Sequence, residues 1–244
     1  MRPLATALAF LIASAAGILN AAVFDGLVLP IREVTIASPV EARVEALNAR
    51  EGDRVEAGAT LVELYAEMEK LEARRAAAAV EKREFEYKSS QNLFQDKVIS
   101  EDEALQSRVE LDLAKLTFEM AEERVALRRL QAPISGVVVE RLFERGEMVR
   151  PSEPILEIVD LTEVFVQFYV RAEDLTAVRV GGQASVTFPG IEDKSVWSGA
   201  VEFIDPRVDA ASGLLRVRIR LANPDGVIKA GLRARVSLDS ENKS

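Results

Sequence analysis

Two stretches decide the fold: residues 38–66, SPVEARVEALNAREGDRVEAGATLVELYA, and residues 132–160, APISGVVVERLFERGEMVRPSEPILEIVD. They align without a gap. Pro39 meets Pro133, Val40 meets Ile134, Val44 meets Val138, Gly52 meets Gly146, Asp53 meets Glu147, Val55 meets Val149, Leu61 meets Ile155 and Leu64 meets Ile158. Each half reads as short strands around a glycine turn. Val40, Ala42 and Val44 alternate with polar residues, the period of a half-buried strand. Gly52 and Gly146, each followed by an acid, supply residues tolerant of positive φ. Gly58 and Gly136 read as further structural turns. Neither half has enough apolar residues to close a core alone, so the two are expected to bury their apolar faces against each other.

Between the halves, residues 67–130 contain no Gly and no Pro and are rich in Ala, Glu, Arg, Lys and Leu, all good helix formers. Near the middle sits NLFQDKVIS, residues 92–100. Ser100 followed by Glu103 is a capping box, so a second helix is expected to start there and the insert becomes a helical hairpin. Each arm of about 30 residues would be about 45 Å long. The second arm carries two apolar stripes, Val109, Leu113, Leu116, Met120, Leu127 and Leu130, and Leu111, Ala114, Phe118, Ala121 and Val125. Their two-residue offset puts them on nearly opposite sides of the helix. The first arm shows a weaker pair, one with Leu64, Met68, Leu71, Ala78 and Phe85, broken by Arg75 and Lys82, the other with Ala66, Ala73, Ala77, Val80, Tyr87 and Phe94. One stripe can pack on the partner arm as an antiparallel coiled coil. The other either faces neighbouring copies of the chain or belongs to a wider seam with some exposed Ala and Leu.

After Asp160 the pattern changes. VFVQFYV at 164–170 is strongly β-prone. RAEDLTAV reads as a short helix ended by Gly181 and Gly182, and ASVTF, WSGAVEFI, LLRVRIRL and AGLRARVSL follow as strands. Val217, Ile219 and Leu221 alternate with Arg216, Arg218 and Arg220, one buried and one solvated face; the arginine comb is either that or a site for anionic lipid or a partner. Residues 161–239 therefore suggest a small antiparallel barrel or sandwich, to which 23–37 adds a strand, and 240–244 form a tail.

The 244 residues, 48% hydrophobic, suffice for one or two domains with a real core. With 31 basic and 40 acidic residues the net charge is -9, the reverse of a nucleic-acid binder's surplus. Cysteine and histidine are both absent, which removes Cys/His metal sites, Cys nucleophiles, His bases and disulfides together. No acidic cluster has metal-ligand spacing. The expectation is a protein with no catalytic residues, no cofactor and no metal. Residues 1–22, Arg2 followed by an apolar stretch and small residues, read as a secretory signal peptide or an N-terminal anchor.

EGDRVEAG at 51–58 resembles the turn of biotinyl and lipoyl carrier domains, whose cofactor lysine would fall at position 68 of this chain. That residue is Met68; Lys70 comes two places late, inside the helical insert. The resemblance implies a fold that is mainly β with an α-helical hairpin: lipoyl-like half 38–66, coiled-coil hairpin 67–130, lipoyl-like half 131–160, then the barrel. This order resembles the periplasmic adaptor subunits, or membrane-fusion proteins (HlyD-like), of tripartite efflux pumps. The likeness is strongest in APISGVVVERLFERGEMVRPSEPILEIVDL, residues 132–161, and in VDAASGLLRVRIRLANPDGVIKAGLRARV, residues 208–236.

That resemblance implies an adaptor linking an inner-membrane transporter to an outer-membrane channel from the periplasm of a Gram-negative bacterium. Copies would associate into a ring. The resistance-nodulation-division (RND) transporter type is preferred, an ATP-driven (ABC) exporter is the alternative, and a biotin or lipoyl carrier subunit is the remote one. In the family the hairpin tip meets the channel through Arg, three residues, Leu, six residues, Ser. Leu93 and Ser100 fit that spacing, with Val98 and Ile99 just before the serine. The arginine position falls on Ser89, beside Lys88. Lys88, Leu93, Val98, Ile99 and Ser100 are thus the candidate contact residues, Ser100 serving also as a helix cap. The end at Ser244 leads one to expect little or none of the membrane-proximal domain found in longer family members.

Overall fold

A computed structural model describes residues 23–191 and 195–238. The expected signal or anchor at 1–22 and the tail at 240–244 lie outside the described residues. The chain folds as two compact units: Pro30–Glu163 with Asn223–Val227, and Val164–Ala222 with the stretches through Leu29 and from Ile228.

In the first unit the repeat becomes a strand exchange. Its strands are the end of β1 (Val23–Ala37), β2 (Ala42–Leu47), β3 (Arg54–Val55), β4 (Thr60–Leu64), β5 (Arg129–Gln131), β6 (Gly136–Arg141), β7 (Met148–Val149) and the start of β8 (Pro154–Arg171). The longer strand of each half pairs with the two-residue strand of the other: β2 with β7 through Ala42↔Val149 and Arg43↔Met148, and β6 with β3 through Val55↔Gly136 and Arg54↔Val137. Single hydrogen bonds repeat as well. The Val44 amide donates to the Glu147 carbonyl at 2.8 Å and the Val138 amide to that of Asp53 at 3.0 Å. Gly58 donates to the Ala132 carbonyl at 2.8 Å and Ser152 to that of Ser38 at 2.7 Å. Each half supplies strand edges that only the other half can satisfy, so neither folds alone. The shared core contains Val44, Leu61, Val62, Leu64, Val138, Val149, Ile155, Leu156 and Ile158, all buried, each contributing about 1.5–3 kcal/mol on burial.

Three of the four expected turn glycines stand at positive φ: Gly52 at 89°, Gly58 at 86° and Gly146 at 96°. The repeat places Ser152 in the position of Gly58, and it too is left-handed, at 67°. Gly136 departs from the expectation. It is no turn but the first residue of β6, and the reason for glycine there is close approach: a Cβ would lie 2.4 Å from the Val159 carbonyl oxygen.

The insert forms two helices, α1 (Glu67–Gln95) and α2 (Glu101–Ala126). Glu67 and Glu69 in the first turn of α1, and Glu101, Asp102 and Glu103 in that of α2, complement the positive ends of the helix dipoles. The second arm ends earlier than the expected residue 130. Arg129–Gln131 turn into β5 against β4, because Leu130 buries its side chain in the sandwich core. Leu111 and Ala121 of α2 and Ala76 of α1 are buried in the seam, with Ala114, Phe118, Val125, Ala73, Ala77, Val80 and Tyr87 half-buried around them. The opposite stripe stays in solvent. Leu113, Leu116 and Met120 are 58%, 55% and 61% exposed, and on α1 Met68, Leu71 and Phe85 are exposed too.

The barrel unit takes β1 and β8 together with β9 (Gln183–Thr187), β10 (Trp197–Ile204), β11 (Leu214–Ala222) and β12 (Arg233–Leu238). The strand order β1-β12-β9-β10-β11-β8, with β1 also paired to β8, closes on itself and leaves no free edge. The short helix expected near 171–178 is a 3-10 helix, Ala172–Ala177. Phe168, Val166, Val170, Val186, Val217, Ile219 and Leu221 fill the interior.

Candidate functional site: the hairpin tip

Local backbone chemistry builds the tip. At the end of α1, Lys97 takes φ 60°. The Lys97 amide donates to the Phe94 carbonyl at 2.9 Å and the Val98 amide reaches back to that of Leu93 at 2.8 Å. These two bonds around a left-handed residue form a Schellman stop, normally marked by glycine and accompanied by an apolar contact between the residues that Leu93 and Val98 occupy. Three residues later the Ser100 hydroxyl accepts from the Glu103 amide at 3.2 Å, and the Glu103 carboxylate accepts from the Ser100 amide at 3.1 Å. The reciprocal cap starts α2 and fixes the chain reversal.

The turn brings Leu93, Val98, Ile99 and Ser100 together. Lys88 lies about 7 Å further down α1. Leu93 and Val98 are exposed, and so is Phe94, which the spacing pattern missed. Lys97 was also missed, since a non-glycine residue gives no sign of a left-handed stop. Ser89, at the position where the family pattern has arginine, turns its hydroxyl back onto the Phe85 carbonyl at 3.0 Å.

Other candidate sites resolve into structure. Lys70 lies in the first turn of α1 and pairs with Glu67 at 3.1 Å. Among the described residues no group of three or more His, Cys, Asp or Glu could hold a metal ion. The arginine comb is engaged on the barrel: Arg216 with Asp205 at 2.9 Å, Arg218 with the Gln167 side chain at 3.2 Å and Arg220 with Glu202 at 3.7 Å. Among the described residues no helix is long and apolar enough to cross a membrane.

Where β8 leaves the first unit, Asp160 is buried. It accepts from Arg32 Nη2 at 2.7 Å, the Thr162 amide at 3.0 Å and the Thr162 hydroxyl at 2.7 Å. Burial pushes its carboxyl up, but the Thr162 hydrogen bonds and Arg32 together outweigh that and hold it below the usual carboxylate range. A depressed acid stabilises the fold above its ordinary pKa and stops doing so as pH falls through the lower, folded value. Asp160→Asn is therefore expected to cost about 2 kcal/mol at pH 7. That difference should shrink as pH falls below the ordinary carboxylate range. Urea unfolding of both proteins across that range measures it; an unchanged difference would remove the charge from the explanation.

A split β unit with strand exchange, a two-stripe hairpin inserted at its centre and a small closed barrel after it are the parts by which known families can be compared with this chain. Residues 32–160 match the model of the CzcB-like barrel-sandwich hybrid domain and 163–242 that of the CusB-like β-barrel domain, and the chain belongs to this CzcB-like family. It is 26% identical over 205 residues to the cobalt-zinc-cadmium resistance protein CzcB of Cupriavidus metallidurans, covering 78% of this chain and 39% of the relative. To the nodulation protein NolF of Rhizobium meliloti it is 29% identical over 221 residues, covering 85% and 60%. The chain thus spans between two fifths and three fifths of the length of these relatives. Among solved structures, a MacA-MexA chimera carrying the Pseudomonas aeruginosa MexA hairpin superposes with TM-score 0.82 at 19% identity, over 90% of this chain and 78% of the other, a likeness of fold.

Proposed function

We propose that the chain is a periplasmic adaptor that links an inner-membrane transporter to an outer-membrane channel and supports export of small solutes. The observation that carries this is the hairpin. It exposes an apolar stripe along both arms and an apolar tip, on a β unit whose carrier-lysine position holds Met68. A free hairpin has no reason to keep Leu113, Leu116 and Met120 in water. Side-by-side copies in a ring would cover that stripe, with charges at its borders setting register. Leu93, Val98, Ile99 and Ser100 at the tip would meet the channel, with Lys88 at the border. The action is mechanical: energy comes from the transporter, and the adaptor holds and seals the conduit. The match to the CusB-like barrel supports an RND transporter as partner, and the printed name of CzcB makes divalent cations the first substrates to assay.

Deletion of 86–106 in the source bacterium tests the reading. Export should fall to the level of a strain lacking the chain. Unchanged export would sink the adaptor role in favour of a structural envelope protein. Cross-linking from the barrel identifies the transporter, and recovery of an ATP-binding-cassette protein would overturn the RND partner.

A further inference from the structure

The hairpin arms are tied to each other along their length but to the β unit at few points. Across the seam Arg124 pairs with Glu72 at 2.8 Å and Arg83 with Glu110 at 2.6 Å, so ion pairs brace α1 against α2 at two levels. At the root, Arg128 does something different. Its Nη1 donates to the Tyr65 carbonyl at 2.6 Å and its Nη2 pairs with Glu69. One guanidinium thus joins the second residue after α2, the second residue before α1 and the first turn of α1. The Arg128 and Glu69 side chains are only 17% and 18% exposed, against 54% and 56% for Arg124 and Glu72. Solvent competes far less for the root pair than for the pair one turn out. Its planar fork holds two acceptors in a fixed geometry, which the rotatable ammonium of a lysine does not impose.

The flank of α2 beside this clamp is unsupported. An open cavity of about 450 Å³ separates Glu123, Ala126 and Leu127 from Val34–Ala37 of β1 and from β5. At about 100° per residue, Glu123 and Ala126 lie about 100° and 160° around the helix from Arg124, while Leu127 lies about 60° from it. So packing does not fix the hairpin against the sheet on that side. The clamp acts there beside the backbone bond from the Leu64 amide to the Arg128 carbonyl at 2.8 Å, which holds the chain but not the direction of the helices.

We infer that Arg128 is the positioning residue that sets the direction in which the hairpin leaves the β unit, an importance for export that rests on the adaptor reading. The chain has no cysteine, so two spin labels can be placed cleanly. Labels at Gln91→Cys near the tip and Arg145→Cys on the β unit report the hairpin direction by pulsed dipolar distance measurement on the full chain. Arg128→Met keeps the apolar stem and removes both bonds; the distance distribution should at least double in width. Arg128→Lys should recover part of the narrowing, and Glu69→Gln should fall between parent and Arg128→Met. If Arg128→Met fails to fold by circular dichroism, Glu69→Gln, which leaves the bond to Tyr65 intact, carries the test. An unchanged width in the folded variants overturns the inference. This readout needs no partner, so it fails or succeeds independently of export.

Discussion

Gly136→Ala is expected to destabilise the first unit by about 3 kcal/mol, near the upper end for an overpacked site. The added methyl would stand 2.4 Å from the Val159 carbonyl oxygen and 2.8 Å from Ile158 Cγ2. The first of these is backbone in a paired strand, so relief requires β6 and β8 to separate, and they are held at Val137↔Val159 and Val138↔Ile158. The repeat provides its own control. Ala42 is the equivalent residue of the other half; it is buried where Gly136 is half-buried, and there a methyl is already accommodated. Ala42→Gly should cost only about 0.5–1 kcal/mol, the entropy of a strand glycine. At about 2–4 °C per kcal/mol, the two variants should differ in melting temperature by several degrees. Equal losses would show that the two halves are not packed differently and that the glycine is incidental.

The repeat was legible because a gapless match fixes strands, turns and core positions together. Gly52, Gly58 and Gly146 could be read as turns because left-handed backbone demands a particular residue. Gly136 could not be read correctly, since close approach between strands leaves the same letter as a turn. Ser152 hides the same left-handed turn that Gly58 announces, and Lys97 does the same at the tip. The end of α2 was invisible for a different reason. Leu127 and Leu130 continue a helical stripe in sequence, but β4 offers Leu130 a pairing edge and a core. The two stripes of α2 were legible from spacing, yet which one faced α1 depended on partners in α1 that its own interrupted pattern left open.

Leu93→Asp should reduce export at least tenfold without unfolding the chain. A leucine buried on docking contributes about 2–3 kcal/mol, and every 1.4 kcal/mol is a factor of ten in affinity; a charge in its place adds a desolvation cost. The competing explanation is local. Leu93 accepts the Val98 amide in the helix stop, so its replacement could act by fraying α1. Lys97→Gly separates the two. Glycine takes φ 60° without the strain a side chain carries there, and so strengthens the stop. If fraying were the cause, the double variant would recover export. If the side chain meets a partner, the double variant stays as defective as Leu93→Asp while its helix content equals that of the parent. Normal export in Leu93→Asp itself would remove the tip from the contact surface, and with it the role proposed for Val98 and Ile99. The Ser100 cap would remain, because its bonds to Glu103 act inside the chain whether or not a channel is present.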